Sequence, residues 1–137
     1  MSGTVTLHLG PFAGEMAADD ATATFLSSVD DAIVGWSVDA GGDVDGDGRP
    51  DIAIGALPDS RGAAYLQLGP ASGVIDVDTL ATFAGANEDD WAGYRVAFVP
   101  DWTGDGGSEL AVDSLNFKDD DDDIAGRIDV MFSDGRF

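Results

Sequence analysis

Short runs of alternating apolar and polar residues, each introduced by a glycine, dominate this chain. The triplets Val5, Leu7, Leu9; Ala64, Leu66, Leu68; and Ile128, Val130, Phe132 follow Gly3, Gly62 and Gly126 and place apolar side chains two residues apart. A period of two puts each triplet on one face of a strand, and that face reads as the inward one. The pattern predicts strands near 3–9, 22–26, 33–39, 51–56, 63–68, 80–84, 92–98, 109–113 and 126–132. With 19 glycines in 137 residues, small strands joined by turns are expected rather than long helices.

Sliding the chain on itself by 58 residues lays Gly35, Val38, Asp43, Gly46, Asp47, Gly48 and Ala53 on Gly93, Val96, Asp101, Gly104, Asp105, Gly106 and Ala111. Asp51 falls on Glu109 and Ile54 on Val112 in the same register. One unit thus holds about four strands in roughly 60 residues, the strand count of a propeller blade. The fold class expected is all-β, with β-propeller blades of four antiparallel strands and about two blades per chain. Residues 1–32 then belong to a split blade, 33–91 to a first full repeat and 92–137 to a second, incomplete one. Repeat architectures generally need about three units or more, so further blades or further copies of the chain are expected to complete a ring.

Between two predicted strands lies Asp43-Val44-Asp45-Gly46-Asp47-Gly48-Arg49-Pro50-Asp51, with carboxylates at positions 1, 3, 5 and 9 and glycines at 4 and 6. A hard cation with 6 to 8 oxygen ligands needs several carboxylates turned to one point, and alternate residues of a curled loop supply them. Gly46 and Gly48 permit the curl through positive φ. The first loop's expected Ca²⁺ ligands are Asp43, Asp45, Asp47, the Arg49 carbonyl and Asp51. Position 12 is Ile54, where an EF-hand needs a bidentate Glu, and the flanks are strands. In the second copy the expected ligands are Asp101, Thr103, Asp105, the Gly107 carbonyl and Glu109. Thr103 replaces an Asp, lowering the site charge from -4 to -3, so weaker binding is expected there.

These residues resemble the FG-GAP repeat of integrin α-subunit β-propellers and their bacterial relatives. Val34-Gly35 and Ala92-Gly93 stand where that family has Phe-Gly, and the two Asp loops follow. Gly55-Ala56-Leu57 and Asp113-Ser114-Leu115 stand where it has Gly-Ala-Pro. The resemblance implies an extracellular or cell-surface propeller with calcium in some loops and a role in adhesion or as an accessory domain.

Charge narrows the partners. Twenty-seven acidic residues against six basic ones give a net charge of -21, which attracts cations and repels nucleic acid and anionic membrane surfaces. All but three acids are Asp, and Lys118 is the only lysine. Such a balance also suits a high-salt habitat, where repulsion is screened. No cysteine is present, so neither a disulfide nor a thiol nucleophile is available. No run of 18 apolar residues occurs, and membrane insertion is not expected. Because Gly3 already opens a strand, an excised piece with an added start methionine is expected.

Catalysis is not expected. The single histidine, His8, alternates with Leu7 and Leu9 and reads as a solvated strand residue, and no serine lies in a Gly-x-Ser-x-Gly turn. Asp119 to Asp123 read as a lengthened, solvated hairpin loop. Trp36 and Tyr94 occupy equivalent positions near Trp91 and Trp102, and packing is expected of them ahead of a sugar platform. A lectin-like propeller with a glycan ligand is the second reading, and an accessory domain of a cation-dependent hydrolase the third. The C-terminal end lacks a fourth strand while the N-terminal end offers two without a blade, so a homo-oligomer of three or four chains is expected, one chain's start completing another's end.

Overall fold

The structure is a computed structural model, in which residues 3–57, 61–119 and 121–132 are described. Among the described residues ten strands follow one another: β1 (Val5–Leu7), β2 (Ala23–Leu26), β3 (Ile33–Ala40), β4 (Ile52–Leu57), β5 (Ala63–Gln67), β6 (Gly73–Asp76), β7 (Ala81–Ala84), β8 (Ala92–Val99), β9 (Glu109–Ser114) and β10 (Arg127–Met131). Two single-turn 3-10 helices, Ala18–Asp20 and Val77–Thr79, sit in the connections. No helix among the described residues is long and apolar enough to cross a membrane.

The strands form three sheets, in the orders β1-β2-β6, β3-β4-β5-β7 and β10-β9-β8. The middle sheet is a complete antiparallel blade, with Val38 opposite Ile54, Ile54 opposite Tyr65 and Ala64 opposite Phe83. The third sheet repeats its first three strands, with Val96 opposite Val112 and Val112 opposite Asp129. The first sheet holds β1 and β2, counterparts of β5 and β7. Thus the chain is all-β, and its three- and four-stranded sheets have the form of propeller blades.

Stacking of the sheets explains which residues are buried. A middle blade has a neighbour on each face, so β4 buries five of its six residues instead of every second one. One apolar cluster joins the first and second sheets through Phe25, Val34, Ile54, Ala56 and Tyr65, with Val5 and Leu7 against it. Another joins the second and third through Val44, Ala64, Leu66, Leu110 and Val112. Each fully buried Val, Ile or Phe in these seams contributes about 1.5–3 kcal/mol. Gly93 permits the close approach of neighbouring blades. It sits at a bulge in β8 with φ of 76°, and a Cβ there would lie 2.2 Å from the carbonyl oxygen of Ala63.

Two expectations need correction. The third apolar triplet does not face inward: Ile128 is 70% exposed and Phe132 54%, and Leu9 of the first triplet is 64% exposed. Ala64 and Leu66, at the same strand positions, are buried because the third sheet covers them. For Ile128 and Phe132 no following sheet is present among the described residues. His8 is not freely solvated either. It is half-buried beside Phe12 and Met16, and its Nδ1 is shielded without a hydrogen-bond partner. The strand β6 was not anticipated. It lies between β5 and β7 in sequence but pairs in parallel with β2 of the preceding sheet, Phe25 opposite Ile75.

Candidate metal centre

The first Asp loop is the connection between β3 and β4, and its ends are held by the ladder. The Gly41 amide donates to the Asp51 carbonyl at 3.1 Å and the Asp51 amide to the Gly42 carbonyl at 2.6 Å. Between them the chain curls through Gly46 and Gly48, at φ of 72° and 84°, positions where a side chain would be strained. The curl turns carboxylates and amides alike inward. The Gly48 amide donates to Asp43 Oδ2 at 2.9 Å, the Asp47 amide to Asp45 Oδ1 at 3.1 Å, and the Arg49 amide to Asp47 Oδ1 at 2.8 Å.

Asp43, Asp45 and Asp51 each place a carboxylate oxygen within 4.8 Å of the others. Asp51 is fully buried, accepting from the Val44 amide at 2.7 Å and from the Gly69 amide, just past β5, at 2.9 Å. Burial pushes its carboxyl above the ordinary range, with Asp45 and Asp43 adding repulsion and the two amides opposing it. Asp43 Oδ1 is shielded from solvent yet has no hydrogen-bond partner. Asp47 stands outside the trio, its Oδ2 4.0 Å from the Arg49 guanidinium.

The second loop gathers a trio of its own from different positions, with Thr103 at the place of Asp45 and Asp105 at the place of Asp47. Asp101, Asp105 and Glu109 bring carboxylate oxygens within 4.8 Å of one another. Asp101 Oδ2 accepts from the Gly106 amide at 3.0 Å, as Asp43 does from Gly48, and Asp105 Oδ1 from the Gly107 amide at 2.9 Å, as Asp47 does from Arg49. Glu109 is fully buried and accepts from the Trp102 amide at 2.8 Å and the Thr103 amide at 3.2 Å. Its extra methylene lets one carboxylate span two consecutive amides of its own loop.

The two loops also touch. The Ser108 amide donates to the Asp43 carbonyl at 2.6 Å, and the Asp43 amide donates to Ser108 Oγ at 3.2 Å. Sequence reasoning missed Ser108 because its counterpart in the first loop is Pro50, so the repeat gives it no signal.

Residues 34–66, from β3 through the first Asp loop and β4 into β5, match the FG-GAP repeat family. The chain carries an FG-GAP repeat. Within it, the Gly at the second position of β3's motif is Gly35, which has φ of 85° and leaves room for Val5 of β1 in the first sheet. The second Asp loop lies beyond the matched stretch, and its likeness to the first rests on the internal repeat and the shared bonding pattern.

The donor set consists of oxygen atoms alone, carries net negative charge and includes an orphaned buried oxygen. Such a set suits a hard divalent cation that accepts an irregular shell, and it offers nothing to a soft metal.

Proposed function

We propose that this chain is a calcium-binding β-propeller module with a structural or interaction role at or outside the cell surface, completed into a ring by further blades. The observation that carries the reading is the convergence of Asp43, Asp45 and Asp51, with Asp43 Oδ1 buried and unpartnered, beside a second carboxylate trio at Asp101, Asp105 and Glu109. Without a cation, like charges at this spacing repel, and buried Asp51 is costly to ionise. With Ca²⁺ bound, the same carboxylates attract a common centre and hold the β3–β4 and β8–β9 turns rigid. The role is non-catalytic in this reading: the chain's functional chemistry lies in its metal loops.

Isothermal titration of metal-free protein with Ca²⁺ tests it. Two binding events are expected, the tighter at the Asp43 loop, because that loop carries four carboxylates along its sequence and the Asp101 loop three. At a free concentration of 100 times Kd, each site stabilises the fold by about 2.7 kcal/mol. A chelator should therefore lower the melting temperature by several degrees, and absence of both heat and shift sinks the proposal. One observation favours glycan binding as a second reading: Trp36 keeps 45% of its surface exposed although its ring packs 5.4 Å from Tyr94, which stacks in turn on Trp91. Loss of a glycan-array signal in Trp36→Ala, with calcium binding intact, would support that reading.

A further inference from the structure

Val44, at position 2 of the first Asp loop, is 2% exposed and plugs the seam between the second and third sheets. It shares that seam's apolar cluster with, among others, Leu66 and Leu68 of its own blade and Phe98 and Leu110 of the next. Moving back by one repeat, the counterparts of those four residues are Leu7, Leu9, Ala40 and Ile52. All four line one apolar cleft of about 300 Å³ between the first and second sheets. The cleft is therefore the socket for position 2 of a preceding Asp loop, and no such loop stands before β1 among the described residues.

One position-2 residue has no socket. Trp102 is the counterpart of Val44 in the second loop, yet it is 71% exposed, with its ring 6.5 Å from that of exposed Phe132. Size decides the match: where the filled socket pairs a small plug, Val44, with a large wall, Phe98, the open one pairs a small wall, Ala40, with a large plug, Trp102. We infer that the open socket receives Trp102 of a second copy of this chain, so that copies assemble head to tail.

The strand inventory specifies how. In the middle blade the order is β3-β4-β5-β7, and the equivalent order built from two copies is β8-β9 of one followed by β1-β2 of the next. β1 lies at the edge of its sheet, free to pair on its open side with β9 of the other copy. For this β10 must yield its place on β9, where all five of its residues are paired but none is buried, whereas β5 buries four of its five. The hybrid blade then has four strands, and each chain contributes two blades to the ring. Asp113 stands where Gly55 closely approaches the Gly93 carbonyl, so the neighbouring blade sits further out than in the middle seam, a gap that an indole spans better than a valine.

The inference rests on the ring assembly proposed above, and light scattering in millimolar calcium tests both. Wild-type protein is expected to run as a multimer, Ala40→Phe as a monomer, and Ala40→Phe combined with Trp102→Val as a multimer again, because the filled seam's pairing is restored. Since the chain has no cysteine, mixing Ala40→Cys with Trp102→Cys under mild oxidation gives an independent readout, with a cross-linked dimer expected from the mixture. A monomeric wild-type protein overturns the inference; if it still binds calcium by titration, the metal reading stands alone. A multimer indifferent to Ala40→Phe and giving no cross-link overturns the socket while leaving ring assembly in place.

Discussion

Asp51 and Asp45 both belong to the first carboxylate trio, but only Asp51 is built into the fold. Its two oxygens are the acceptors for the Val44 and Gly69 amides, one in the loop and one beyond β5, so it fastens the loop to the blade whether or not metal is bound. Truncation leaves two amides without their acceptor. Asp51→Ala should therefore destabilise metal-free protein by about 2–4 kcal/mol in urea melts. Asp45 accepts only from the Asp47 amide two residues away, so Asp45→Ala should change metal-free stability by no more than about 0.5 kcal/mol. Both should weaken calcium binding, and equal losses of metal-free stability would refute this division. Ser108 makes a different point. It belongs to the second loop but holds the Asp43 backbone, so Ser108→Ala should weaken the first site about two- to tenfold, the equivalent of one net hydrogen bond. Calorimetric titration resolves this, and an unchanged first-site affinity would show that the link carries no energy.

Strands and their connections set the seams in which these loops sit. Gly93 at φ of 76° combines a left-handed conformation with a Cβ position 2.2 Å from the Ala63 carbonyl oxygen, whereas Gly104 at φ of 80° faces open space. Gly104→Ala should cost about 1–2 kcal/mol from backbone strain alone, and Gly93→Ala clearly more, because backbone must also move. Asp78, following β6, ties the first blade to the second: its Oδ2 accepts from Ser27 Oγ at 2.7 Å and the Ser28 amide at 3.1 Å, its Oδ1 from the Tyr65 hydroxyl at 3.1 Å. Desolvation pushes its carboxyl up, but the bonds from Ser27, Tyr65 and Ser28 together outweigh it and hold the group below the ordinary range. The stability it contributes is thus present above the ordinary carboxylate range and lost as pH falls through the lowered value. Asp78→Asn should cost about 1 kcal/mol or less at neutral pH, given its exposure, and the difference from wild type should vanish in melts well below about pH 4. An equal gap at both pH values would exclude this mechanism. The Asp78 tie was not legible in the sequence, because its partners come from two blades. Nor was β6: Gly73–Asp76 holds only Val74 and Ile75 as apolar residues, too few to show a period, and its pairing partner is in another sheet. The other nine strands were legible from alternation; spacing located both acidic loops, but not that Asp47 stands outside the first trio while its counterpart Asp105 joins the second, since that depends on how each loop curls. Ile128 and Phe132 were misread because period two reports that one face is apolar, without saying whether a neighbour covers it.

At the scale of the whole chain, charge opposes compactness. With 27 acidic residues and a net charge of -21, most carboxylates among the described residues lie on exposed stretches such as 15–20, 88–89 and 101–106, and few cations offset them. The ion pairs Lys118–Asp122 and Arg127–Asp129 are local, within one loop or one strand. Repulsion spread over a molecule this small acts across distances comparable to the Debye length, which is about 30 Å at 0.01 M salt and about 3 Å at 1 M. Monovalent salt should therefore stabilise the fold even with calcium held constant. Raising NaCl from 0.01 to 1 M is expected to increase stability by on the order of 1 kcal/mol or more, which for a chain of this length is about 3–5 °C in melting temperature per kcal/mol. On the calcium-binding proposal, screening also weakens attraction between Ca²⁺ and the two acidic loops, so calcium affinity should fall over the same range while the metal-free fold becomes more stable. The two opposite trends separate diffuse repulsion from the metal sites. A metal-free melting temperature that stayed flat with salt would mean that the clustered loop carboxylates, not the overall charge, carry the electrostatic cost of folding, and then calcium alone should remove it.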